Sequence, residues 1–359
     1  MRVGIVGMPN AGKSSLFSAL TGVAAEAANY PFTTIEPNVA VVPVTDSRLD
    51  AVASTVKASK IVPDTIAFHD IAGLVAGAHR GEGLGNQFLA NIRETDAIVH
   101  VVRVHEDPNV VHPEGRVDPL ADIDTIETEL IYADLEQAER RLDRVARTAK
   151  SGDRHAIAEA DWLRRLIEAL QAGRAARTVP PPPDAPDAVQ LLQPLTAKPV
   201  LFVANVDEGA DEVPPAILEH AHAQGAEAVA VSARLEAELA ELDPEDAAAM
   251  RADLGLTTSG LERVIRGAFA LLDLIAFFTA GEDKPAQSWH LRRGLSVWHA
   301  AGLIHSDIQR GFVRAEVVGW EELVSAGGYA GARERGTLRL EGRDYVMADG
   351  DVITVKFTP

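Results

Sequence analysis

The feature that most constrains the fold of this chain is the segment Gly7-Met-Pro-Asn-Ala-Gly-Lys-Ser14, which matches G-x-x-x-x-G-K-[ST]. It follows the apolar stretch Val3–Val6, which is typical of a strand, and precedes SLFSALTG, which is typical of a helix. This strand–loop–helix context separates a phosphate-binding loop from a chance match. The segment therefore predicts an α/β domain that binds a nucleotide through its phosphates.

The chemistry of such a loop explains each residue type. Glycines let the backbone wrap around phosphates with its N–H groups pointing inward, and the helix that follows adds the positive end of its dipole. Lys13 is expected to reach the β- and γ-phosphates as a point charge, and Ser14 offers its hydroxyl to Mg²⁺.

Short apolar runs rich in valine and isoleucine recur along the chain, as in a parallel sheet that is buried on both faces. Helical stretches separate several of them, which favours βαβ units. The sequence predicts a discontinuous P-loop domain over residues 1–120 and 199–278, closed by a helix from Ser259 to Phe278. The predicted strands after the first are Val39–Val44, Thr65–Asp70, Ala97–Val102, Val200–Asn205 and Ala228–Ser232.

Residues 121–198 break this alternation and predict a helical hairpin inserted into the domain. Apolar residues recur there at spacings of three to five, which indicates the seam between two helices. Ser151-Gly152-Asp153 supplies the turn, and Pro180–Pro183 ends the helical region. Beyond it, residues 279–359 read as short strands with glycine turns, which predicts a small C-terminal α+β domain. The expected seam residues are Ile123, Ile126, Leu130, Leu135, Ala138, Leu142 and Val145.

Two further segments are placed where nucleotide switches are found. Asp70-Ile-Ala-Gly73 ends a predicted strand, so Asp70 can hold Mg²⁺ through water and the Gly73 N–H can meet the γ-phosphate. Between Lys13 and Asp70 lies Tyr30-Pro-Phe-Thr-Thr34-Ile-Glu-Pro, where a threonine can complete the Mg²⁺ shell when the γ-phosphate is present.

Two positions depart from an ordinary GTPase. Leu74 follows Gly73 where Ras-type enzymes carry the glutamine that orients the attacking water. The base-reading strand ends in Asn205-Val-Asp-Glu208, whereas guanine-specific proteins carry Asn-Lys-x-Asp. Ser232, after the next strand, is where such a domain meets the base again. Three functions stay open: an ATPase switch, a GTPase in which Glu208 still serves guanine, and a nucleotide-gated binding module with negligible hydrolysis.

Composition and charge limit the kinds of partner and cofactor that this chain can bind. The chain has no cysteine, which excludes disulfides, cysteine-ligated metals and cysteine nucleophiles. Its net charge of −19 argues against a protein that coats nucleic acid, and no DNA partner is expected. Neither a run of 18 apolar residues nor a signal peptide is recognisable, so we expect a cytoplasmic protein with no membrane contact. Two regions are exceptions to this acidity: residues 139–177, with ten basic against six acidic side chains, and residues 279–359, with ten against eleven.

Taken together, the motifs resemble the YchF/Obg-like ATPase family over essentially the whole chain. The resemblance implies a P-loop G domain with an inserted helical hairpin and a C-terminal TGS domain of β-grasp type. It also implies a preference for ATP over GTP, a hydrophobic residue in place of the catalytic glutamine, and association with ribosomes. The motifs that carry it are GMPNAGKSS, NYPFTTIEPN, HDIAGLVAGAHRGEGLGNQFLANIRE, DPLADIDTIETELIYADLE, FVANVDE and RLEGRDYVMADGD.

The resemblance also assigns roles to residues. It implies that Thr34, rather than Thr33, ligates Mg²⁺ beside Ser14, and that His112 assists catalysis with Lys13 and Gly73; His105 competes with His112 for that role. The residues expected to bind ATP are Asn10, Ala11, Gly12, Lys13, Ser14 and Ser15 at the phosphates, and Asn205, Val206, Glu208 and Ser232 at the base.

Potassium is a candidate cofactor besides Mg²⁺, because Asn10 after Pro9 resembles P-loops that use a monovalent cation. Nothing in the sequence demands a dimer, so a monomer is expected. The charge distribution predicts that the hairpin and the C-terminal domain contact ribosomal RNA, with the large subunit as the expected partner.

Overall fold

The computed structural model describes residues 1–26, 38–71, 84–107, 110–113, 115–256 and 259–358. Three residues with predicted roles, Thr34, Gly73 and Leu74, lie outside the described part of the chain. Their expected roles therefore remain predictions.

The described chain contains twelve strands, which form two six-stranded sheets. In chain order they are β1 (Arg2–Val6), β2 (Val39–Pro43), β3 (Lys60–Val62), β4 (Thr65–Asp70), β5 (Ala97–Arg103), β6 (Val200–Asn205), β7 (Glu227–Val231), β8 (Leu274–Thr279), β9 (Pro285–Arg292), β10 (Phe312–Gly319), β11 (Arg339–Glu341) and β12 (Asp351–Phe357).

The α-helices connect these strands, and the two longest follow one another between β5 and β6. In chain order they are α1 (Lys13–Glu26), α2 (Ser47–Val56), α3 (Leu84–Arg93), α4 (Pro119–Ala149), α5 (Arg154–Gln171), α6 (Ala188–Leu192), α7 (Pro215–Ala223), α8 (Ala233–Leu239), α9 (Pro244–Asp253), α10 (Gly260–Ala270), α11 (Val297–Ile304), α12 (Ser306–Arg310), α13 (Trp320–Ser325) and α14 (Tyr329–Glu334). No helix in the described ranges is long and apolar enough to cross a membrane.

The first sheet has the strand order β2-β4-β1-β5-β6-β7. β1 pairs in parallel with β4 and β5, and β6 pairs in parallel with β5 and β7. All residues of β5 and β6 are buried, as expected for central strands covered by helices on both faces. β1 therefore lies between β4 and β5, and the loops that follow these strands open at one edge, where α/β proteins bind their ligands.

α4 and α5 form the predicted hairpin. α4 begins behind the N-cap Asp118, whose side chain accepts the Ala121 N–H, and α5 begins behind Asp153, which accepts the Ala156 N–H. Gly152 makes the turn with a φ of 85°, a left-handed conformation that glycine adopts without strain. Trp162 of α5 is fully buried in the core that the two helices share, and its Nε1 donates to the Val179 carbonyl at 3.0 Å.

The predicted seam along α4 divides into two parts. Ala138 and Val145 are buried in the core with α5, as expected. Ile123, Ile126 and Leu130 instead belong to the core around the first sheet. A helix of this length, about 46 Å at 1.5 Å per residue, extends beyond one packing partner, so its first turns serve the α/β core and its last turns serve the hairpin.

The described residues cluster into two compact units. The first holds Met1–Glu26, 38–41 and Ala67–Leu271, which include most of the first sheet and the whole hairpin. The second holds Val42–Ile66 and residues 272–358, which include the second sheet, of order β11-β10-β12-β8-β9-β3. That sheet is mixed: β3–β9 and β8–β12 are parallel, whereas β8–β9, β10–β12 and β10–β11 are antiparallel.

The prediction of one helix from Ser259 to Phe278 is wrong. α10 ends at Ala270, and Leu274–Thr279 form β8, which pairs with β9 and β12 in the second sheet. A short apolar run does not reveal its own period, so the strand was read as a continuation of the helix. β3 was not predicted because three residues carry too little pattern. The domain boundaries given above stay a prediction.

Candidate nucleotide-binding site

The loop between β1 and α1 has the backbone that a phosphate cradle requires. Gly7 has a φ of 153° and Gly12 a φ of 101°. A Cβ atom at Gly7 would lie 2.3 Å from the Val101 carbonyl oxygen, and one at Gly12 would lie 2.2 Å from Nδ2 of Asn205. Only glycine fits either position, so both glycines of the motif are explained by close approach of neighbouring groups.

Lys13 is buried at the start of α1, and its Nζ donates to the Met8 carbonyl at 2.8 Å. Burial lowers the pKa of Lys13 to about 8, and the nearby carboxylate of Asp70 opposes this shift. Burial likewise raises the pKa of Asp70, against the effect of Lys13. The structure therefore brings the predicted phosphate-binding cation and the predicted Mg²⁺-site acid together across neighbouring strands.

The groups around this pair fit Mg²⁺. Ser14 is exposed in the first turn of α1, and Asp70 is half-buried at the carboxyl end of β4. Hydroxyl, carboxylate and water oxygens suit Mg²⁺, which usually takes its remaining ligands from substrate phosphates. The described ranges contain no group of three histidine, cysteine or acidic residues that could hold a metal ion by itself. A metal here would thus depend on the nucleotide for part of its shell.

Asn205 joins the phosphate loop to the predicted base pocket. It is buried at the end of β6, and its Nδ2 donates to the Ala11 carbonyl at 3.0 Å. Its Oδ1 accepts the Ala233 N–H at 3.0 Å, from the first residue of α8. Asn205 therefore fixes the distance between the two loops at the edge of the predicted base pocket.

A cavity of about 500 Å³ opens beside Asn205. Val206 lies at its wall and is buried, and its N–H donates to the Val231 carbonyl. Glu208 is half-exposed and lies 3.5 Å from Nε of Arg234, a contact too exposed to fix its position. The structure therefore brings together the four residues predicted to bind the base. The cavity is lined by His105, Glu106, Asp107, Asn205, Val206, Asp207, Glu208, Ser232 and Arg234.

The two competing histidines occupy different places. His105 lines the base cavity, and its Nδ1 lies 3.0 Å from the Asn205 carbonyl. His112 is buried, and its Nε2 lies 3.0 Å from a carboxylate oxygen of Asp122 on α4. The residue before it, Val111, accepts the Asn10 Nδ2–H at 2.9 Å, so the His112 loop is tied to the phosphate loop.

Sequence reasoning missed two residues that build this site. Arg103 is almost fully buried at the end of β5, and its guanidinium donates to the carbonyls of His105, Asp107 and Val110. It thereby shapes the loop that carries both histidines. Asp122, which holds His112, is the second. The sequence does contain one indication of Arg103, because a single charged residue at the end of an apolar strand is unusual. It contains no such indication of Asp122, because acidic residues are common on helices.

The fold and site define a P-loop nucleoside triphosphatase with a G-type domain. The model of a 50S ribosome-binding GTPase matches residues 2–136, and that of the YchF-GTPase C-terminal family, described as a protein of unknown function, matches residues 274–358. Proteins named ribosome-binding ATPase YchF are 47% identical in Bacillus subtilis and 48% identical in Haemophilus influenzae, each over 99% of both chains.

This chain belongs to the YchF family, as its motifs indicated. The structure of the Schizosaccharomyces pombe YchF GTPase superimposes with a TM-score of 0.87 at 33% identity, over 99% of this chain and 97% of that one. A GTP-binding protein from Pyrococcus horikoshii, at 20% identity and a TM-score of 0.64, shares the fold.

Proposed function

We propose that this protein is a slow, Mg²⁺-dependent ATPase whose nucleotide state controls its association with the ribosome. The observation that carries the proposal is the Asn205 bridge, which couples a complete phosphate loop to a base cavity walled by Val206 instead of the usual lysine. The relatives named ribosome-binding ATPase align with nearly the whole chain, and their name supports the ribosome as the partner in this proposal.

In this proposal the phosphates occupy the loop at Asn10–Ser15. Lys13 exchanges its internal partner, the Met8 carbonyl, for phosphate oxygens, where its charge offsets the negative charge of the β- and γ-phosphates. Ser14, Asp70 and Thr34 would hold Mg²⁺, which when bound neutralises part of the phosphate charge. Gly73 would supply an N–H to the γ-phosphate.

The base preference follows from the chemistry of the cavity. In guanine-specific proteins an aspartate accepts from N1–H and the 2-amino group of guanine, and a lysine stacks on the ring. Val206 cannot supply that charge, and Glu208 is one methylene longer than the aspartate that it replaces. Adenine offers neither of the two donors that this acid would read, so the altered residues penalise guanine more than adenine.

His112 is the residue that we propose to assist hydrolysis. Leu74 cannot hydrogen-bond a water molecule, so another group must position it. His112 is held by Asp122, on a loop tied to the phosphate loop through Asn10 and Val111. A carboxylate on one ring nitrogen fixes the orientation of an imidazole, as in other catalytic histidine–acid pairs.

Ribosome contact is assigned to the hairpin and the C-terminal domain. Arg140, Arg144 and Arg147 lie on α4, and all three side chains are exposed or half-exposed. Arg141 is not counted with them, because its Nε donates to the carboxylate of the buried Glu159 at 2.7 Å. We propose rRNA of the large subunit as the surface that these arginines meet, a monomeric state for the protein, and a cytoplasmic location.

Single-turnover and steady-state hydrolysis of ATP by the purified chain tests this function. We expect slow turnover that requires Mg²⁺ and is abolished in Lys13→Ala, while the surface variant Lys57→Ala, outside the site, keeps wild-type turnover. Replacing K⁺ with Na⁺ in the same assay tests potassium as a second cofactor, with slower turnover in Na⁺ as the expected result. Tight ATP binding without hydrolysis, even with ribosomes present, would favour the nucleotide-gated binding module.

A further inference from the structure

Residues 110–112, which end at the histidine proposed to assist hydrolysis, are held from three directions. The Val110 carbonyl accepts a guanidinium N–H of Arg103, at the end of β5, at 3.0 Å. The Val111 carbonyl accepts a hydrogen bond from the phosphate loop, and His112 is held by a carboxylate of α4. Each of these three consecutive residues is therefore held by a different element of the first unit.

Hydrophobic packing contributes little to the position of this segment. Val111 is 77% exposed and Val110 is 36% exposed. A side chain that stays in contact with water gains little of the free energy of burial. The position of these two residues therefore depends on the hydrogen bonds that their carbonyls accept.

Arg103 connects this segment to the wall of the base cavity. It is buried, its Nε donates to the His105 carbonyl at 3.0 Å, and a terminal nitrogen donates to the Asp107 carbonyl at 3.3 Å. His105 and Asp107 both line the base cavity. In the sheet, Arg103 lies opposite Asn205, the residue that bridges the phosphate loop and the base cavity. One guanidinium group thus holds the cavity wall and Val110 at the same time.

The planar guanidinium is the side-chain group that suits these contacts. It carries five N–H donors in a rigid fork, whereas the ammonium group of lysine is a single point of charge. Acceptors on three different residues require donors that point in different directions. A buried charge also needs hydrogen-bond partners to offset its loss of water, and the three carbonyls supply them. The buried cation is therefore explained by the position that it gives to the loop.

We propose that Arg103 is a positioning residue for hydrolysis, which places His112 relative to the bound phosphates through its hold on Val110. Its hydrogen bonds go to carbonyls of the protein, so it acts through the loop and not on the nucleotide. The inference rests on the proposed function, in which His112 assists the hydrolysis of ATP.

Steady-state hydrolysis and calorimetric titration of ATP, with full-chain Arg103→Lys and Arg103→Met, test the proposal. Lysine keeps the charge without the fork and methionine keeps neither, so the test holds if either variant folds. We expect kcat per ATP-binding site to fall by about a hundredfold, the effect of misplacing a reacting group by about 1 Å. The Kd for ATP should change by less than about threefold, as for an interaction that acts mainly in the transition state.

Arg116→Lys is the matched control, because Arg116 follows in the same loop and its side chain is 68% exposed. It should keep the wild-type kcat. Wild-type kcat in the folded Arg103 variants as well would overturn the proposal and leave the proposed ATPase activity standing.

A double variant distinguishes positioning from a general loss of structure. If Arg103 acts through His112, Arg103→Lys combined with His112→Ala should be no slower than His112→Ala alone, within about twofold. Additive effects of the two substitutions would overturn the proposal. Unchanged turnover in His112→Ala would overturn both this proposal and the catalytic role of His112, whereas absence of hydrolysis in the wild type would refute the proposed function first and this inference with it.

Discussion

Lys13 is the residue whose chemistry depends most on its surroundings. In the free protein it is buried against the Met8 carbonyl, and its pKa is lowered from 10.5 to about 8. A triphosphate favours the charged amine, so nucleotide binding must raise this pKa again. The free energy of ATP binding therefore depends on the protonation of Lys13, which changes near physiological pH.

This coupling predicts that ATP affinity falls as the pH rises above about 8. Above that pH the free protein has lost the Lys13 proton and must take it up on binding, so affinity should fall by up to about tenfold per pH unit. Calorimetry between pH 7 and 10, in buffers of different ionisation enthalpy, measures both affinity and proton uptake. Lys13→Arg stays charged and should lack this dependence. Binding at pH 9 without proton uptake would refute the coupling.

His112 and Asp122 should act as a unit. We expect His112→Ala to lower turnover by about a hundredfold, a typical effect of losing a general acid or base, with ATP affinity near wild type. Asp122→Asn should lower turnover less, and the double variant should be no slower than His112→Ala. Asp124→Asn, exposed on the same helix, is the matched control. Unchanged turnover in His112→Ala would reject its role.

Among the elements, α4 does the most to connect the parts of the first unit. Its first turns pack against the α/β core and its last turns against α5. In between, the buried Asp134 accepts the Leu195 N–H at 2.7 Å, the Thr196 N–H at 2.8 Å and the Thr196 hydroxyl at 2.6 Å. One carboxylate thus fastens the segment that returns the chain from the hairpin to β6.

Removing this carboxylate should destabilise the protein strongly. Asp134→Ala leaves three buried donors without partners, and each such loss costs about 1–3 kcal/mol. We expect the free energy of unfolding to fall by about 3 kcal/mol or more in urea titrations followed by circular dichroism. Asp143→Ala, exposed on the same helix, should change it by less than about 0.5 kcal/mol. Equal stability of the two variants would show that the hydrogen bonds of Asp134 contribute little to the free energy of unfolding.

The elements that could be predicted from sequence are those with a strong local signal. β1 with its loop, the mostly apolar β6 and the glycine-turned hairpin were each predicted close to their observed bounds. β8 was misread as helix because its apolar run has no distinctive period. The Asn205 bridge and the His112–Asp122 pair depend on side chains that are distant in sequence, and no local pattern encodes such contacts.

For the molecule as a whole, the uneven charge supports the proposed contact with RNA. The chain carries a net charge of −19, yet residues 139–177 hold ten basic and six acidic side chains. A hairpin that projects basic residues from an acidic protein can meet RNA with one surface while the rest of the protein is repelled. The contact should then be electrostatic and sensitive to salt.

Co-sedimentation with ribosomes over a range of salt concentrations tests this contact. We expect binding to weaken steeply with salt because counterions are released, and a charge-reversed Arg140/Arg144/Arg147→Glu variant to sediment poorly. Arg154/Arg164/Arg165→Glu makes the same change in net charge on α5, so the pair of variants separates a contact through α4 from one through the other helix of the hairpin. If both variants sediment like wild type at every salt concentration, the hairpin does not face RNA, and residues 279–359 become the main candidate.

We propose above all that ATP, and not GTP, drives the switch in ribosome association. Titration of ATP and GTP side by side by calorimetry, with Mg²⁺ present, tests it most directly. We predict tighter binding of ATP in the wild type, and a shift toward GTP when Val206→Lys and Glu208→Asp are combined to rebuild the guanine-reading residues. GTP binding tenfold tighter than ATP in the wild type, a difference of about 1.4 kcal/mol, would contradict the claim and establish the protein as a GTPase switch.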